Sequence, residues 1–280
     1  MNADSDFSKV HELVGDLGLH TVCKSAKCPN MHECWGHGTA TLMLLGNECT
    51  RACRFCAISA GRPKKLDRDE PQRAAEAARR MNLKHVVLTS VARDDLPDGG
   101  AGIFADTIRA IRAELPSASV EVLIPDFQGD EASLNIVLEA APDVMNHNLE
   151  TVKRLQAAIR PQASYGRSLS VLRAAARSPH APAVKSGVMV GLGETDEELL
   201  EAIRDLYEAG VRLLTIGQYL QPTRAHRPVM RYVEPEAFAR YEAYARSLGF
   251  FGIASGPMVR SSYRAEELLQ AAREAMSAAS

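Results

Sequence analysis

From Thr41 onward the chain alternates two textures. Short, almost continuous apolar runs are separated by longer stretches in which apolar residues recur every three or four positions. The short runs are TLMLLG (41–46), HVVLTSV (85–91), VEVLIP (120–125), DVMNHNL (143–149), VKSGVMVGL (184–192) and VRLLTIGQYL (211–220). Apolar centres of this kind suit parallel strands covered on both faces. The longer stretches have the helical period: Ile103, Phe104, Thr107, Ile108, Ile111 and Leu115 share one face, and Leu199, Leu200, Ile203, Leu206 and Tyr207 another. Thr195-Asp196-Glu197-Glu198 predicts a capping box opening the second of these helices. Pro71 suits the first turn of a helix running toward Met81.

Strand and helix repeated about six times predict a parallel α/β fold. Six units fall short of the eight that close a full barrel. The expected fold is therefore a partial (βα)6-type parallel barrel, with an open sheet as the alternative. No Ser/Gly-rich linker divides the chain. It reads as an N-terminal extension (1–40), one catalytic domain (41–250) and a C-terminal extension (251–280).

Composition narrows the class. The chain has 280 residues, 46% of them hydrophobic, enough for a packed core that needs no disulfides. The net charge is −2, with Lys and Arg spread along the chain, so no nucleic-acid partner is expected. The densest basic stretch, TRAHRPVMR (223–231), reads as solvated surface, with partner docking as its alternative. The start, MNADSDFSKVHELVG, has neither a cationic opening nor an apolar core, and Asp4 and Asp6 argue against a transit peptide. No apolar run reaches the roughly 18 residues of a membrane span. A cytoplasmic protein without a membrane partner is expected.

The cysteines change the picture most. All six lie between Cys23 and Cys56, as Cys23-x4-Cys28-x5-Cys34 and Cys49-x3-Cys53-x2-Cys56. Thiols gathered so tightly in a chain suited to a reducing compartment read as metal ligands rather than disulfides. The second triplet directly follows the first predicted strand, which places it in the first βα loop, at the strand end where such folds bind ligands. Three thiolates can hold three irons of a 4Fe–4S cubane and leave the fourth open. The alternative is zinc, with His20, His32 or His37 completing a Cys3His site.

CxxxCxxC in a first βα loop, with Phe55 before the last cysteine, resembles the radical S-adenosylmethionine superfamily. CKSAKCPNMHECW (23–35) and GTATLMLLGNECTRACRFCAI (38–58) narrow the resemblance to the lipoyl synthase family. LTSVARDDLPDGGA (88–101), NHNLETV (146–152), KSGVMVGLGE (185–194), GQYLQPT (217–223) and GPMVRSSYRA (256–265) extend it in order from about Leu19 to Ala265. Biotin synthase and other relatives lack both the first triplet and the RSSY element. Ala92 departs from the family, which more often has a polar residue before RDDL.

The resemblance implies an enzyme that inserts two sulfur atoms, at carbons 6 and 8, into a protein-bound octanoyl-lysine chain. It implies two 4Fe–4S clusters and S-adenosyl-L-methionine. Cys49, Cys53 and Cys56 would hold the catalytic cluster. Cys23, Cys28 and Cys34 would hold an auxiliary cluster that donates the sulfur, with Ser262 of RSSY as fourth ligand and Ser261 the lesser candidate. Implied partners are octanoylated lipoyl domains of 2-oxoacid dehydrogenase complexes or the glycine cleavage H protein, an electron donor such as flavodoxin or ferredoxin, and an iron–sulfur carrier.

Cofactor contacts are expected from Phe55 and from the strand-end residues Asn148 and Glu150, with Asn146 beside them. Turn chemistry is the alternative for these polar side chains. Gly191 and Gly193 precede a capped helix, so their amides suit a carboxylate or a close-lying adenine, with a plain tight turn as the alternative. Lys185 and Arg167 are further candidate neighbours. Arg93, Asp94 and Asp95 read as a solvated loop, because radical abstraction needs no carboxylate pair. Competing functions are a two-cluster electron carrier, a zinc interaction module, and a radical sulfur-inserting enzyme acting on a free small molecule.

Overall fold

The structure of the chain is a computed structural model that describes residues 13–278 apart from Lys27, Lys64, Lys65 and Ala181. Asp4 and Asp6, on which the expectation about a leader rests, lie outside the described residues. The chain folds as two compact units. The first runs to Arg51 and resumes over Ile58–Asp143; the second comprises Ala52–Ala57 and the chain from Val144.

In the first unit the strands are β1 (His20–Thr21), β2 (Thr39–Leu44), β5 (His85–Ser90) and β6 (Ser119–Leu123), adjacent in that order. β2, β5 and β6 are parallel, with Leu42 opposite Leu88 and Leu88 opposite Val122, while β1 joins antiparallel. Every residue of β2 is buried, as its unbroken apolar run requires. α3 (Glu70–Arg80) and α4 (Ala101–Glu114) pack together. Ala74, Ala75, Ala77 and Ala78 of α3 are all buried, and side chains this small let two helices approach closely. α4 contributes the predicted face, with Ile103, Phe104, Thr107, Ile108 and Ile111 buried and Leu115 at its cap. Pro71 occupies the first turn of α3. A two-residue parallel ladder joins β3 (Glu48–Cys49) to β4 (Ser59–Ala60).

The second unit has β7 (Val144–Asn146), β8 (Ala183–Val190), β9 (Leu213–Gln218) and β10 (Gly252–Gly256), all parallel and in that order. Its helices include α7 (Tyr165–Ala176), α8 (Asp196–Glu208), α9 (Pro235–Leu248) and α10 (Ala265–Ala278). The capping box of α8 forms as predicted, Thr195 and Glu198 each satisfying the other's backbone amide. Leu268, Leu269 and Ala272 of α10 join Val144 and Leu213 in a buried cluster.

Both units therefore belong to the parallel α/β class that the alternation predicts. Two details differ. The run 143–149 is a strand only over Val144–Asn146; the chain then leaves the ladder and rejoins β8 by a single bridge from Glu150 to Val188. β10 is an additional parallel strand, and its sequence GIASG has too little apolar content to announce itself. Among the described residues no helix is long and apolar enough to cross a membrane.

Candidate metal and cofactor site

Two short helical turns present the first cysteine triplet. Cys23 lies on α1 (Val22–Ser25), where the Thr21 hydroxyl accepts the Lys24 amide at 3.3 Å, and Cys34 lies on α2 (Met31–Gly36). The Cys28 amide donates to the Cys23 carbonyl at 2.9 Å, folding the intervening segment back. Burial, then the neighbouring Cys28 and Cys23 thiols, pushes Cys34 up to about 12. Cys34 thus lies near both other thiols of the triplet, and none of the three is in a disulfide. Among the described residues no three His, Cys, Asp or Glu side chains surround one point as ligands of a single ion would. Three free thiols are donors of the type a cubane takes, one to each of three irons.

Cys49 ends β3, and its Sγ accepts the amides of Arg51 at 3.4 Å and Ala92 at 3.3 Å. Two backbone amides thus fix the position of the sulfur. Arg51 is itself locked. Its guanidinium donates twice to the Asp94 carboxylate, both at 2.7 Å, and once to Asp126 Oδ1 at 2.6 Å. Burial opposes the charge, but the hydrogen bonds to Asp94 and then Asp126 outweigh it and hold Arg51 above its ordinary range. Arg93 is buried and paired with Asp95 at 2.8 Å. The expectation of a solvated loop over Arg93–Asp95 is therefore corrected: Arg93 and Asp94 turn inward because each has an ionic partner to offset desolvation.

Cys53, Phe55 and Cys56 belong to the Ala52–Ala57 segment of the second unit. The Cys56 amide closes a turn on the Cys53 carbonyl at 3.1 Å, and Phe55 is half-buried. Contacts that hold this segment include Ala52 N donating to Gln162 Oε1 at 3.2 Å, Arg54 N to the Ile159 carbonyl at 2.8 Å, Arg227 N to the Arg54 carbonyl at 2.9 Å, and His226 Nε2 to the Cys56 carbonyl at 2.9 Å.

The polar strand ends of the second unit converge locally. Asn148 Nδ2 donates to Glu150 Oε1 at 3.2 Å, while Asn148 Oδ1 is buried without a hydrogen-bond partner. Gly187 makes room for it, since a Cβ there would lie 2.8 Å from that oxygen and 2.7 Å from Thr215 Oγ1. Burial raises the Glu150 carboxyl, opposed by the Arg160 charge and by the Asn148 bond. An acceptor held dry and unmet beside a carboxyl group fits a ligand bearing an amine or hydroxyl donor. Asn146 and Lys185 are fully buried; Arg167 is half-buried, with Nη1 on the Gln162 carbonyl at 3.4 Å.

Gly191 and Gly193 have φ of 94° and 112°. The carboxylate that the GLG amides meet is the chain's own: Gly191 N and Leu192 N donate to Glu194 at 2.6 and 2.9 Å. A Cβ at Gly191 would meet the Arg231 carbonyl at 2.4 Å, so the glycine serves close backbone packing. Ser261 and Ser262 are half-buried in the turn between β10 and α10, which the Tyr263 amide closes on the Arg260 carbonyl at 2.9 Å. The Val259 carbonyl just before it would lie 2.2 Å from a Cβ at Gly217. The RSSY turn thus leaves from the carboxyl end of β9.

In the first unit a cavity of about 300 Å³ lies beside Glu48, lined also by His20, Glu70, Arg73 and Arg93. Arg51, Asp126, Glu194 and His226 are polar residues that pattern reasoning did not single out. Asp126 directly follows the predicted strand 120–125, a position at which an acid could have been flagged. Nothing local marks His226, whose partner is 170 residues away.

The sequence profile of the Radical SAM superfamily matches residues 43–206. The chain is 55% identical to a lipoyl synthase of Rubrobacter xylanophilus, over 95% of this chain and 83% of that one. It is 56% identical to those of Chlorobaculum tepidum (94% and 90% covered) and Thermus thermophilus (94% and 82%). Among solved structures it is similar to a maturase of the [FeFe]-hydrogenase, HydG, with a TM-score of 0.61 at 16% identity over 97% of this chain and 66% of that one. Methylornithine synthase gives 0.57 at 14% identity over 84% and 73%. These likenesses bear out the partial-barrel expectation for the fold.

Proposed function

The chain belongs to the lipoyl synthase family of radical S-adenosylmethionine enzymes, and from that premise we propose how its residues divide the work of making a lipoyl group on a protein. Cys49, Cys53 and Cys56 hold the catalytic 4Fe–4S cluster. Cys23, Cys28 and Cys34 hold a second, auxiliary cluster, with Ser262 as its fourth ligand, the role the RSSY motif has in the family. When bound, S-adenosylmethionine and the catalytic cluster supply the radical that removes hydrogen from an unactivated carbon, a task beyond side-chain acids and bases. The substrate is an octanoyl-lysine side chain on an acceptor protein, a lipoyl domain or H protein, and the positions sulfurated are carbons 6 and 8.

The observation that supports this reading best is the mounting of Cys49. Cys49 is held at a strand end by two backbone amides and, through Arg51, by two carboxylates. In the first triplet, Cys23 and Cys34 sit on two short helical turns, with Cys28 between them. A rigid mount suits a cluster that must persist through turnover. Asn148 and Glu150 offer an acceptor and a carboxyl to the methionyl amine or a ribose hydroxyl. Phe55 lies within the cysteine loop and Gly191 and Gly193 shape the turn after β8, both as cofactor-side elements. An external one-electron donor such as flavodoxin or ferredoxin, and an iron–sulfur carrier, complete the set of partners.

The test is anaerobic turnover of an octanoyl-lysine peptide with the reconstituted protein, read by mass spectrometry. The expected product is heavier by two sulfurs less two hydrogens. Replacing Cys49, Cys53 or Cys56 with Ala should abolish 5′-deoxyadenosine formation. Replacing Cys23, Cys28 or Cys34 should leave part of it and stop sulfur insertion. Equal loss of cleavage in both sets, with the other cluster retained, would end the division of roles.

A further inference from the structure

One side chain reaches the backbone carbonyl of a cluster cysteine from far along the chain. His226 Nε2 lies 2.9 Å from the Cys56 carbonyl. A carbonyl only accepts, so Nε2 carries the proton. On the other side of the ring, Nδ1 lies 2.8 Å from Thr223 Oγ1. The Thr223 oxygen also takes the Ala225 amide at 3.3 Å, which holds it in place beside Nδ1. A hydrogen-bonded path therefore runs from Thr223 through the His226 ring to Cys56.

His226 is in turn held in place. Gln221 Nε2 donates to the His226 carbonyl at 2.9 Å, the His226 amide donates to the Thr223 carbonyl at 3.0 Å, and Tyr219 Oη donates to the Arg227 carbonyl at 2.7 Å. The next residue, Arg227, clasps the same cysteine segment through its amide on the Arg54 carbonyl. The stretch 223–231 is mostly exposed, as expected of solvated surface, but His226 and Arg227 turn in from it to bracket the cysteine loop. All of these groups belong to one compact unit.

We propose that His226 is a positioning residue for the catalytic cluster: with its ring held by Thr223, it fixes the Cys56 carbonyl, and through it the direction of the Cys56 thiolate and the polarity around the sulfur. The physical reason is specific to a redox cluster. Its potential responds to hydrogen bonding and dipoles near the ligating sulfurs, and a carbonyl whose lone pair is taken by an N–H is a weaker, fixed dipole. The proposal rests on the cluster assignment above for its second readout but not for its first.

The first readout uses the metal-free protein and asks only whether the bracket exists. Hydrogen exchange of the 53–57 amides and alkylation of Cys56 by iodoacetamide should both accelerate about tenfold in His226→Phe, the scale of one net hydrogen bond. His226→Gln, whose amide can donate to the same carbonyl, should restore most of the protection. Thr223→Val should give an intermediate effect, and it keeps the test alive if the Phe variant does not fold. The second readout is the midpoint potential of the reduced cluster by electron paramagnetic resonance. It should shift in His226→Phe and return toward wild type in His226→Gln. Wild-type exchange and alkylation in both His226→Phe and Thr223→Val would overturn the bracket. Faster exchange with an unmoved potential would overturn the positioning role while leaving the division of clusters intact.

Discussion

At Cys49 the chain surrounds a thiol with amides rather than with a base, and the cost of that arrangement falls on Arg51. The guanidinium is 5% exposed and Asp126 not exposed at all, so neither can lose its partner cheaply. Removing one member of a buried pair leaves an uncompensated charge, a loss of about 3–5 kcal/mol. Asp126→Ala should therefore destabilise the metal-free protein by about that amount in urea unfolding. Arg51→Lys should do nearly as much harm despite keeping the charge, because an ammonium cannot reproduce the fork that meets both Asp94 oxygens. In either variant, reconstitution should yield less iron per chain, and iron at the wild-type level would show that Cys49 does not depend on this mount.

Among the elements, α8 offers the cleanest case of local sequence acting alone. Thr195→Ala removes one half of the capping box and should lower stability by about 1 kcal/mol. Glu198 is the other half, and it also pairs with Arg154 at 2.6 Å. The Arg154 bond, then the Thr195 amide, hold its carboxyl down at about 2. A carboxyl depressed on folding stabilises fully above its unfolded value of roughly 4.3. That contribution is lost as pH falls from there through 2. Because the pair faces solvent, salt should shrink the effect, so the pH slope of the melting temperature below 4 should flatten in high salt and in Glu198→Gln. β9 gives a harsher test. Gly217→Ala puts a methyl against the Val259 carbonyl, and overpacking of this kind costs about 1–3 kcal/mol. It should also displace the RSSY turn, so sulfur insertion should fall more than cofactor cleavage. Parallel losses in both would show that Gly217 serves stability alone.

For the whole molecule, the proposal of two clusters makes a count and a separation of activities. Anaerobic reconstitution should give about eight irons per chain, as two cubanes require. Removing either triplet should halve the count. Ser262→Ala should still cleave S-adenosylmethionine yet lose lipoyl product. Ser262→Cys should hold its cluster through four thiolates and release sulfur poorly. An Ala variant that makes lipoyl product at the wild-type rate would remove Ser262 from the ligand set.

Fold class and the two cysteine triplets were legible in the sequence because both are local. Apolar runs bury themselves wherever they occur, as all of β2 does, and ligand spacing is a property of neighbouring residues. The capping box of α8 and the first-turn proline of α3 are local in the same sense. What the sequence left open depends on partners far along the chain. Arg51 between two cysteines looks like any exposed base until Asp94 and Asp126 reach it across 43 and 75 positions. Asn148 looks like turn chemistry until Gly187 opens space for its oxygen, and β10 becomes a strand only because β9 offers it an edge. His226 sat in a stretch read as solvated surface, and only the folded chain set its ring against the Cys56 carbonyl. Charges and polar groups can be buried only against a complement, and tertiary structure alone supplies that complement.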